Sequence, residues 1–461
     1  MSRIMIAGTG SGCGKTTVTC AVLGALKLRN IHALSFKAGP DYIDPMFHKK
    51  ITGVEARNLD IFLMNEENVK YALKKQAHTL SIIEGVMGLY DGIGSSSYGS
   101  ANHLALLTET PVILVVNAKG KSQSICAEIQ GYMNFEKNNV SGIILNNVRE
   151  TMYPFYKKMI EEKLEISVLG FMPNIPQANI KSRHLGLITT NEISNIQKKL
   201  ELLADAATKY IDIDKLLSIA QKVNPILCSD PKIESIKSSK KPVIYIAVDK
   251  AFCFYYEDNH DLLMDLGAEL RFFSILEDNV LPDDAGGLIL WGGYPELHAT
   301  KLQDNHNMKT SLKTHIKNGL PVYAECGGFM YLQESLMDLQ GNSYDMLGIL
   351  KGHSIMTSNL QNFGYITLEA NENTVLCSRG EKINAHSFHY STSSNKNTSF
   401  TATKKSNGIT YRCIVSQNNI FGGYPHIHFF SNPKLARNFV QKCIEYRKEM
   451  NHETYYEPSR D

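Results

Sequence analysis

Short apolar runs rich in β-branched residues alternate along the chain with longer stretches whose apolar positions have helical spacing. This alternation is typical of parallel α/β domains, in which helices cover the faces of a buried sheet. In the first half of the chain it predicts strands at residues 4–7, 33–37, 80–84, 112–116, 142–145 and 167–172. Helical patterns occupy residues 16–28 and 68–75, and residues 191–223 are mainly helical in pattern.

The pattern breaks at a polar stretch that runs from Cys228 to Lys241. Such a stretch is typical of an interdomain linker. A new apolar strand follows at residues 242–248 and opens a second α/β pattern. We therefore predict a first domain at 1–226, a linker at 227–241, a second domain at 242–449 and a polar tail at 450–461.

Composition narrows the class of protein. The 461 residues suffice for two or three domains at roughly 100–200 residues per domain. Because 48 Lys and Arg residues nearly balance 46 Asp and Glu residues, the net charge of +2 predicts no nucleic-acid or membrane partner. Nine scattered cysteines lack a zinc-binding spacing, and the chain enters a strand without a signal-peptide pattern. These features predict a cytoplasmic protein and leave its oligomeric state open.

The strongest chemical signal is a glycine-rich loop between the first strand and the first helix. Its members are Gly8, Thr9, Gly10, Ser11, Gly12, Cys13, Gly14, Lys15, Thr16 and Thr17. Glycines let the backbone wrap around phosphate oxygens, with N–H groups of the loop and the helix start facing the anion. Lys15 supplies a positive charge and Thr16 can hold Mg²⁺, so we predict an ATP-binding P-loop.

The loop departs from the usual P-loop spacing, because its first glycine stands one residue earlier, at Gly8. In this it is similar to dethiobiotin synthetase and its relatives, in which a P-loop serves carboxylate activation. The alternative is a glycine-rich turn that only packs. The order of strand, loop and helix favours the phosphate site.

Acidic side chains follow two further predicted strands. Asp41 and Asp44 come after the second strand, and Glu84 and Asp91 belong to a segment at the end of the third. Because ligands bind at the carboxyl ends of strands in open parallel sheets, we expect these segments to meet the P-loop. Mg²⁺ prefers oxygen ligands, and we predict Thr16, Asp41 and Glu84 as its ligands. The alternative is that individual acids only cap helices or turns.

Other positions in the first domain are candidates for ligand contact. Lys37, at a predicted strand end, can neutralise a phosphate or a substrate carboxylate. Asn146 and Asn147 follow another strand end and can contact a nucleotide base, although loop asparagines also form turns. Arg183 and His184 begin a loop before the helical region, where they can meet an anionic substrate.

The second domain contains a cysteine, Cys326, between a short apolar strand and the start of a helix. Gly327 and Gly328 provide the small neighbours that a sharp strand-to-helix turn needs. Helix-terminal N–H groups favour a thiolate at such a place, which indicates a nucleophile. The alternative is a small buried cysteine that packs in the core.

Two companion motifs favour the nucleophile. A predicted strand ends at Gly292 and Gly293, which can present N–H donors to an oxyanion. Near the C-terminus, His426 and His428 share one face of an extended segment, and either can act as the base. Together with Cys326, they resemble a class I glutamine amidotransferase domain of flavodoxin-like fold.

The histidine motif departs from that of ordinary class I domains, which end in His-Pro-Glu and use the glutamate to orient the histidine. Aligned on that motif, His426 takes the place of the histidine and His428 that of the glutamate. The resemblance therefore implies a Cys–His dyad without the acid. His428 as the working base remains the alternative.

Five segments carry a resemblance to one family over nearly the whole chain. They read FKAGPDYIDPMFH, EGVMGLYDG, RHLGL, YAECGGFMYL and HIHF. These segments closely resemble the cobyrinate a,c-diamide synthase family. The resemblance implies a dethiobiotin synthetase-like parallel-sheet P-loop domain followed by the glutaminase domain.

The same resemblance implies a reaction. ATP and Mg²⁺ activate the a and c carboxylates of cobyrinic acid as acyl phosphates in cobalamin biosynthesis, and ammonia from L-glutamine then forms the amides. Asp41, Asp44, Glu84 and Asp91 would position metal and substrate, and Cys326 would form the glutamyl thioester.

Three alternatives to this reaction remain. A Ni-sirohydrochlorin a,c-diamide synthase would share the scaffold and motifs. A cobyric acid synthase would amidate other corrin carboxylates, but its final motif resembles HGLF rather than HIHF. A P-loop switch ATPase with a non-catalytic second domain is disfavoured by the intact Cys326 and the paired histidines.

Overall fold

The computed structural model describes residues 2–76, 79–179, 193, 195–231, 233–238, 240–396 and 398–453. The chain forms two compact units, Met1–Pro231 and Lys232–Asp461. Among the residues so described, no helix is both long and apolar enough to cross a bilayer. The predicted loop with Arg183 and His184 lies outside the described residues, as does 454–461 of the predicted tail.

The first unit is built on a seven-stranded sheet. Its strands are β1 (Arg3–Gly8), β2 (Ala33–Ala38), β3 (Arg57–Leu59), β4 (Leu80–Glu84), β5 (Val112–Asn117), β6 (Val140–Asn146) and β7 (Val168–Met172). Their order is β3-β2-β4-β1-β5-β6-β7, and every neighbouring pair is parallel. All six predicted strands are present, and β3 is an additional edge strand. This order places the P-loop after the central strand β1.

The first unit's helices follow the predicted alternation. They are α1 (Lys15–Leu28), α2 (Ile43–Thr52), α3 (Ile61–Met64), α4 (Glu66–Lys75), α5 (Ala101–Leu107), α6 (Ser124–Asn134), α7 (Tyr153–Leu164), α8 (Ile196–Tyr210) and α9 (Ile213–Gln221). Polar caps explain several starts: the Ser100 side chain accepts from the His103 amide at α5, and Asp212 accepts from Lys215 at α9. Helix α1, almost wholly buried, packs against α8.

The second unit contains two sheets. The first consists of β8 (Val243–Ala247), β9 (Glu269–Phe273), β10 (Gly287–Leu290), β11 (Val322–Glu325), β18 (Val415–Gln417) and β19 (Ile420–Gly423). Its order is β18-β19-β11-β10-β8-β9, with β18 antiparallel to β19 and the other pairs parallel. Helices α10 (Glu257–Asp265), α11 (Ala299–Asp304), α12 (His306–Lys317), α13 (Gly327–Leu332) and α14 (Pro433–Glu453) complete this α/β layer. Helix α14 continues past residue 449 into the predicted tail.

The second sheet was not predicted from the sequence. It consists of β12 (Ser335–Met337), β13 (Ser343–Asp345), β14 (His353–Ala370), β15 (Lys382–Ser393), β16 (Phe400–Lys404) and β17 (Thr410–Cys413). Its order is β13-β12-β14-β16-β17, and the long strand β14 also pairs antiparallel with β15. Strand β14 alternates poorly between buried and exposed positions over its first half, which explains why the pattern was missed.

The polar stretch predicted as a linker contains no helix or strand in its described residues. In the first unit, Lys74 Nζ donates to the Asp230 carboxylate at 2.9 Å. In the second unit, the Ile236 amide donates to the Leu266 carbonyl at 2.9 Å. Each end of the stretch is therefore bound to the unit that it adjoins.

Candidate active sites

The P-loop has the left-handed backbone that its glycines permit. Gly12 has φ 76° and Gly14 has φ 102°, which a side chain would strain. Lys15 begins α1, and its Nζ donates to the carbonyl of Gly10 at 2.8 Å across the loop. The lysine charge is therefore held at the loop, where phosphate would compete with the carbonyl for it.

Asn146 supports the loop from the end of β6. Its Nδ2 donates to the carbonyl of Cys13 at 2.9 Å, and the side chain is buried. A Cβ on Gly14 would lie 2.0 Å from that nitrogen, so only glycine allows this approach. The structure therefore gives Asn146 a supporting contact beneath the loop, while contact with a base stays a prediction. Asn147, at φ 60°, donates to the side chain of Asn117 at 3.1 Å.

A buried polar cluster lies beside the start of α1. Lys37 Nζ is 2.5 Å from Asp44 Oδ2 and 2.9 Å from Glu84 Oε1. The Thr16 hydroxyl is 2.7 Å from the same Glu84 oxygen and 3.3 Å from the same Asp44 oxygen. The carboxyl ends of β2 and β4 thus bring Lys37 and Glu84 to the P-loop, as predicted for an open parallel sheet.

The charged groups of this cluster shift one another's pKa values. Burial lowers the pKa of Lys37, but Asp44 and Glu84 outweigh it and raise that pKa above its usual value. Burial raises the pKa of Glu84, but Lys37 and His48 outweigh it and hold that pKa below its usual range. Burial, Asp41 and Glu84 raise the pKa of Asp44. Burial and the neighbouring acids therefore outweigh Lys37 at Asp44, and a further cation beside it would favour its ionised form.

The other two predicted acids hold local turns. Asp41 Oδ1 accepts from the Ile43 amide at 2.7 Å, at the start of α2, and its Oδ2 is 4.0 Å from Lys37 Nζ. Asp91 Oδ2 accepts from the Gly88 amide at 2.7 Å. Asp44, rather than the predicted Asp41, therefore lies beside Thr16 and Glu84. The capping alternative describes the present contacts of Asp41 and Asp91.

His48 belongs to the same cluster and was not singled out from the sequence. Its Nε2 lies 2.8 Å from Glu84 Oε2, and both side chains are fully buried. The available signal was helical spacing: His48 follows Asp44 by four residues on α2, so both face the same side. Glu84 is thus held by Lys37 and Thr16 on one oxygen and by His48 on the other.

In the second unit, Cys326 occupies a strained turn between β11 and α13. Its φ of 44° and ψ of −104° are rare for a residue with a side chain. The Cys326 amide donates to the Gly423 carbonyl at 2.8 Å, and the Met330 amide donates to the Cys326 carbonyl at 2.9 Å. A Cβ on Gly328 would lie 2.1 Å from the Leu290 carbonyl oxygen. The predicted strand-to-helix turn is present, and its glycine allows the close packing that positions the thiol.

His426 faces this cysteine. The thiol is within hydrogen-bonding reach of the ring, and both residues are nearly excluded from solvent. The His426 backbone pairs with His386 of β15, by N–H to carbonyl hydrogen bonds of 3.0 and 2.8 Å. Burial lowers the pKa of His426, but Cys326 and Glu325 outweigh it and raise that pKa to about 10. The pair is therefore arranged to hold a proton on the imidazole beside the sulfur nucleophile.

The two predicted oxyanion glycines lie around the same turn. A Cβ on Gly327 would lie 3.0 Å from the Gly293 amide nitrogen, which places that amide beside the turn. Gly293 has φ 158°, and a Cβ there would lie 2.0 Å from the Ala251 carbonyl oxygen. A Cβ on Gly292 would lie 2.5 Å from Cε1 of His426. The Gly293 amide thus lies beside the nucleophile turn and its role as an oxyanion donor stays a prediction, whereas Gly292 makes room for the histidine.

The sequence left open what His428 does and whether an acid accompanies the histidine next to Cys326. The contacts of His428 and Glu325 bear on both points. The His428 ring lies 4.9 Å from that of Tyr256, and its Nδ1 accepts from the Phe430 amide at 3.3 Å. Glu325 Oε2, by contrast, is 3.5 Å from Nδ1 of His426. The dyad without an acid, implied by the motif, therefore has a carboxylate next to its histidine after all. The sequence signal was Glu325 itself, a charged residue that ends an otherwise apolar strand.

A P-loop unit joined to a Cys–His unit with a strained nucleophile turn defines an ATP-using glutamine amidotransferase. Two family models match these parts of the chain. Residues 4–187 match the CobQ/CobB/MinD/ParA nucleotide binding domain, and residues 243–434 match the CobB/CobQ-like glutamine amidotransferase domain.

Curated relatives extend the match to the whole chain. The cobyrinate a,c-diamide synthase of Caldanaerobacter subterraneus subsp. tengcongensis is 39% identical over 453 residues, covering 97% of this chain and 99% of that protein. The cobyrinate a,c-diamide synthase of Clostridium tetani is 40% identical, over 96% of this chain and 100% of that protein. The cobyrinate a,c-diamide synthase of Thermoplasma volcanium is 37% identical, over 97% and 98%. The chain belongs to the cobyrinate a,c-diamide synthase family.

Proposed function

We propose that this chain amidates the a and c carboxylates of cobyrinic acid, with ATP as the activating substrate and glutamine as the nitrogen donor. The observation that carries the proposal is Cys326, held at φ 44° against His426 in the same chain as a P-loop. A thiolate of this kind opens glutamine through a thioester, and a P-loop of this kind binds the phosphates of ATP.

The first unit would make the carboxylate reactive. A carboxylate is a poor electrophile, and transfer of the γ-phosphoryl group of ATP gives an acyl phosphate with a good leaving group. Lys15 and the N-terminus of α1 would hold the phosphates, and Lys37, which pairs with Asp44, would shift toward the phosphate or the substrate carboxylate to balance its charge. Ammonia then displaces phosphate and forms the amide.

The residues near the P-loop fit Mg²⁺. Within the described chain, no group of three or more His, Cys, Asp and Glu side chains is arranged to hold a metal unaided. The Thr16 hydroxyl and the carboxylates of Asp44 and Glu84 offer hard oxygen ligands that phosphate oxygens can complete. When bound, Mg²⁺ would neutralise phosphate charge during transfer. Asp41 and Asp91 are proposed to order the loops around this site.

The second unit would release ammonia. Cys326 attacks the side-chain amide of glutamine, Gly293 N–H stabilises the oxyanion, and His426 returns a proton to the departing nitrogen. Water then hydrolyses the thioester to glutamate.

All nine cysteines of the described structure are free, in keeping with a reducing cytoplasm, which we propose as the location.

The test is to incubate the protein with cobyrinic acid, ATP, Mg²⁺ and glutamine and to follow product mass. We expect two successive carboxylate-to-amide changes. Cys326→Ala should lose the reaction with glutamine and keep it with free ammonium, whereas Cys377→Ala, at another buried cysteine of the second unit, should keep both.

Two results would change the conclusion. Conversion of Ni-sirohydrochlorin and not of cobyrinic acid would replace the substrate and leave the two-site mechanism standing. Absence of any amide, with ATP hydrolysis indifferent to glutamine, would overturn the proposal in favour of a P-loop switch ATPase.

A further inference from the structure

The residue before the nucleophile carries a buried carboxylate. Glu325 ends β11, and 3% of its side chain is exposed. Because side chains alternate along a strand, Glu325 shares a face with Tyr323. Around Tyr323 on this face lie the rings of Trp291 and Phe429. An ionised carboxylate in such surroundings is costly unless it is hydrogen-bonded or paired.

The two carboxylate oxygens have separate partners. Oε1 accepts from the Tyr323 hydroxyl at 2.6 Å and from the Ile427 amide at 2.9 Å. Oε2 lies 3.5 Å from Nδ1 of His426. The first oxygen is therefore fixed by two donors, one of them on the residue after His426, and this fixes the second oxygen in front of the imidazole.

We propose that Glu325 is the positioning residue that orients His426 and holds its Nδ1–H, in the place that the His-Pro-Glu glutamate takes in ordinary class I domains. This inference rests on the glutaminase part of the proposed function. His428, which stands at the glutamate's position in the motif, instead packs against Tyr256 and caps the turn at Phe430. The acid comes from the strand before the nucleophile rather than from the segment after the histidine.

The arrangement assigns the proton path. With Nδ1 facing Glu325, Nε2 is the ring nitrogen left for Cys326. Nε2 holds the proton that it shares with Cys326 while the sulfur forms a bond to the glutamine amide carbon, whose carbonyl oxygen takes the negative charge. The carbon–nitrogen bond then breaks, and Nε2 gives the same proton to the leaving nitrogen, which departs as ammonia. Glu325 stabilises the imidazolium between these steps and keeps its own charge.

Electrostatics agree with this geometry. Burial alone would lower the pKa of His426, and the Cys326 and Glu325 contacts reverse that effect and raise it to about 10. Two other histidines of this unit behave differently. Burial lowers the pKa of His386 to about 3 and that of His389 to about 4, with His426 adding to both. His426 differs from them by having Cys326 and, next to it, an acid at its ring.

The alternative is that Glu325 only holds the histidine segment in place and that its charge does not act on His426. Its contact with the Ile427 amide already helps to hold the histidine segment, and the Asn259 side chain holds the same segment by donating to the Ile427 carbonyl at 2.9 Å. Glu325→Gln separates the roles, because the glutamine oxygen can still accept from Tyr323 and Ile427 while the charge facing His426 is lost.

The experiment measures glutaminase kcat/KM against pH for the full chain. Glu325→Gln should lower kcat/KM about 10²-fold. In the plot of kcat/KM against pH for Glu325→Gln, the upper limb reports loss of the imidazolium proton. This limb should move to lower pH by about one unit or more. Tyr323→Phe removes a donor from Oε1 and keeps the charge, so its upper limb should stay in place. Amidation with free ammonium should be the same in all three proteins.

An unchanged kcat/KM and an unmoved upper limb in Glu325→Gln would overturn the inference. If the upper limb moves equally in Tyr323→Phe, the role of Glu325 is only structural. If Glu325→Gln loses the ammonium reaction as well, Glu325→Asp decides, because it withdraws the carboxylate from Nδ1 and should move the limb in the same direction. The proposed function fails separately, through a Cys326→Ala variant that still uses glutamine.

Discussion

At the scale of single residues, the glutaminase site depends on how closely backbone approaches the His426 ring. Gly292 lies so close to the ring that a Cβ there would be 2.5 Å from Cε1 and 3.3 Å from Nδ1 of His426. We expect Gly292→Ala to displace the ring from both Cys326 and Glu325. Since misplacement of a catalytic group by about 1 Å can cost about 10²-fold in rate, glutaminase kcat/KM should fall by that order.

The measurement is a glutaminase assay beside the ammonium-dependent reaction, which should be unchanged. Gly131→Ala is the matched control, because a Cβ on that helical glycine would meet nothing within 4 Å. Gly292→Ala activity within twofold of the parent would show that the ring has room to adapt.

Sequence motifs indicated most of the candidate site residues. They did not indicate residues whose role depends on a neighbour distant in sequence. Cys326 and the P-loop lysine were recognisable because each acts within a local turn whose glycines are visible in the sequence. Glu325 and His48 were not, because their meaning comes from His426 and Glu84, more than 30 residues away. The strand end at Glu325 and the helical spacing of His48 were visible, but neither pattern identifies the partner that packing supplies.

At the scale of elements, the first unit depends on the close contact between α1 and α8. Helix α1 carries the P-loop lysine at its start, and a Cβ on its Gly24 would lie 2.6 Å from the Cβ of Ala204 on α8. We expect Gly24→Leu to force the helices apart and to lower the free energy of unfolding by about 1–3 kcal/mol.

Urea denaturation followed by circular dichroism measures this change. Gly131→Ala again serves as the control, since a glycine replaced by alanine in an unobstructed helix should gain roughly 0.5–1 kcal/mol. A Gly24→Leu midpoint equal to that of the parent would mean that α8 is not packed against α1 in solution.

Strands could be predicted from the sequence where all of their residues are buried. Strands β1 and β4 are short, mostly apolar and buried on both faces, so they were recognised nearly to the residue. The second sheet of the second unit was missed because its longest strand, β14, is exposed or half-buried over most of its length. Strand β14 runs over 18 residues with irregular register shifts near Gln361, so neither a period of two nor a clean apolar run marks it.

At the scale of the whole molecule, the chain consists of two units that each close their own sheets and cores. Among the described residues, the named strands of the first unit pair with one another within residues 3–172, and those of the second within residues 243–423. The large core cluster of the second unit is likewise built from residues between Val243 and Met450. The chemistry divides the same way, with the P-loop cluster in one unit and Cys326 with His426 in the other.

We therefore expect residues 1–231 and 232–461, produced separately, each to fold on its own. Each half should unfold cooperatively in urea, and the second should keep a Cys326 that reacts with iodoacetamide faster than its other cysteines, because His426 and Glu325 are retained. The control is a fragment of residues 232–380, which separates β14 from its partner β15 and removes β19 beside β11. That fragment should lack a cooperative transition. A half 1–231 or 232–461 that behaves like the control would show that the units complete each other's cores, and that the two chemistries are coupled already at the level of folding.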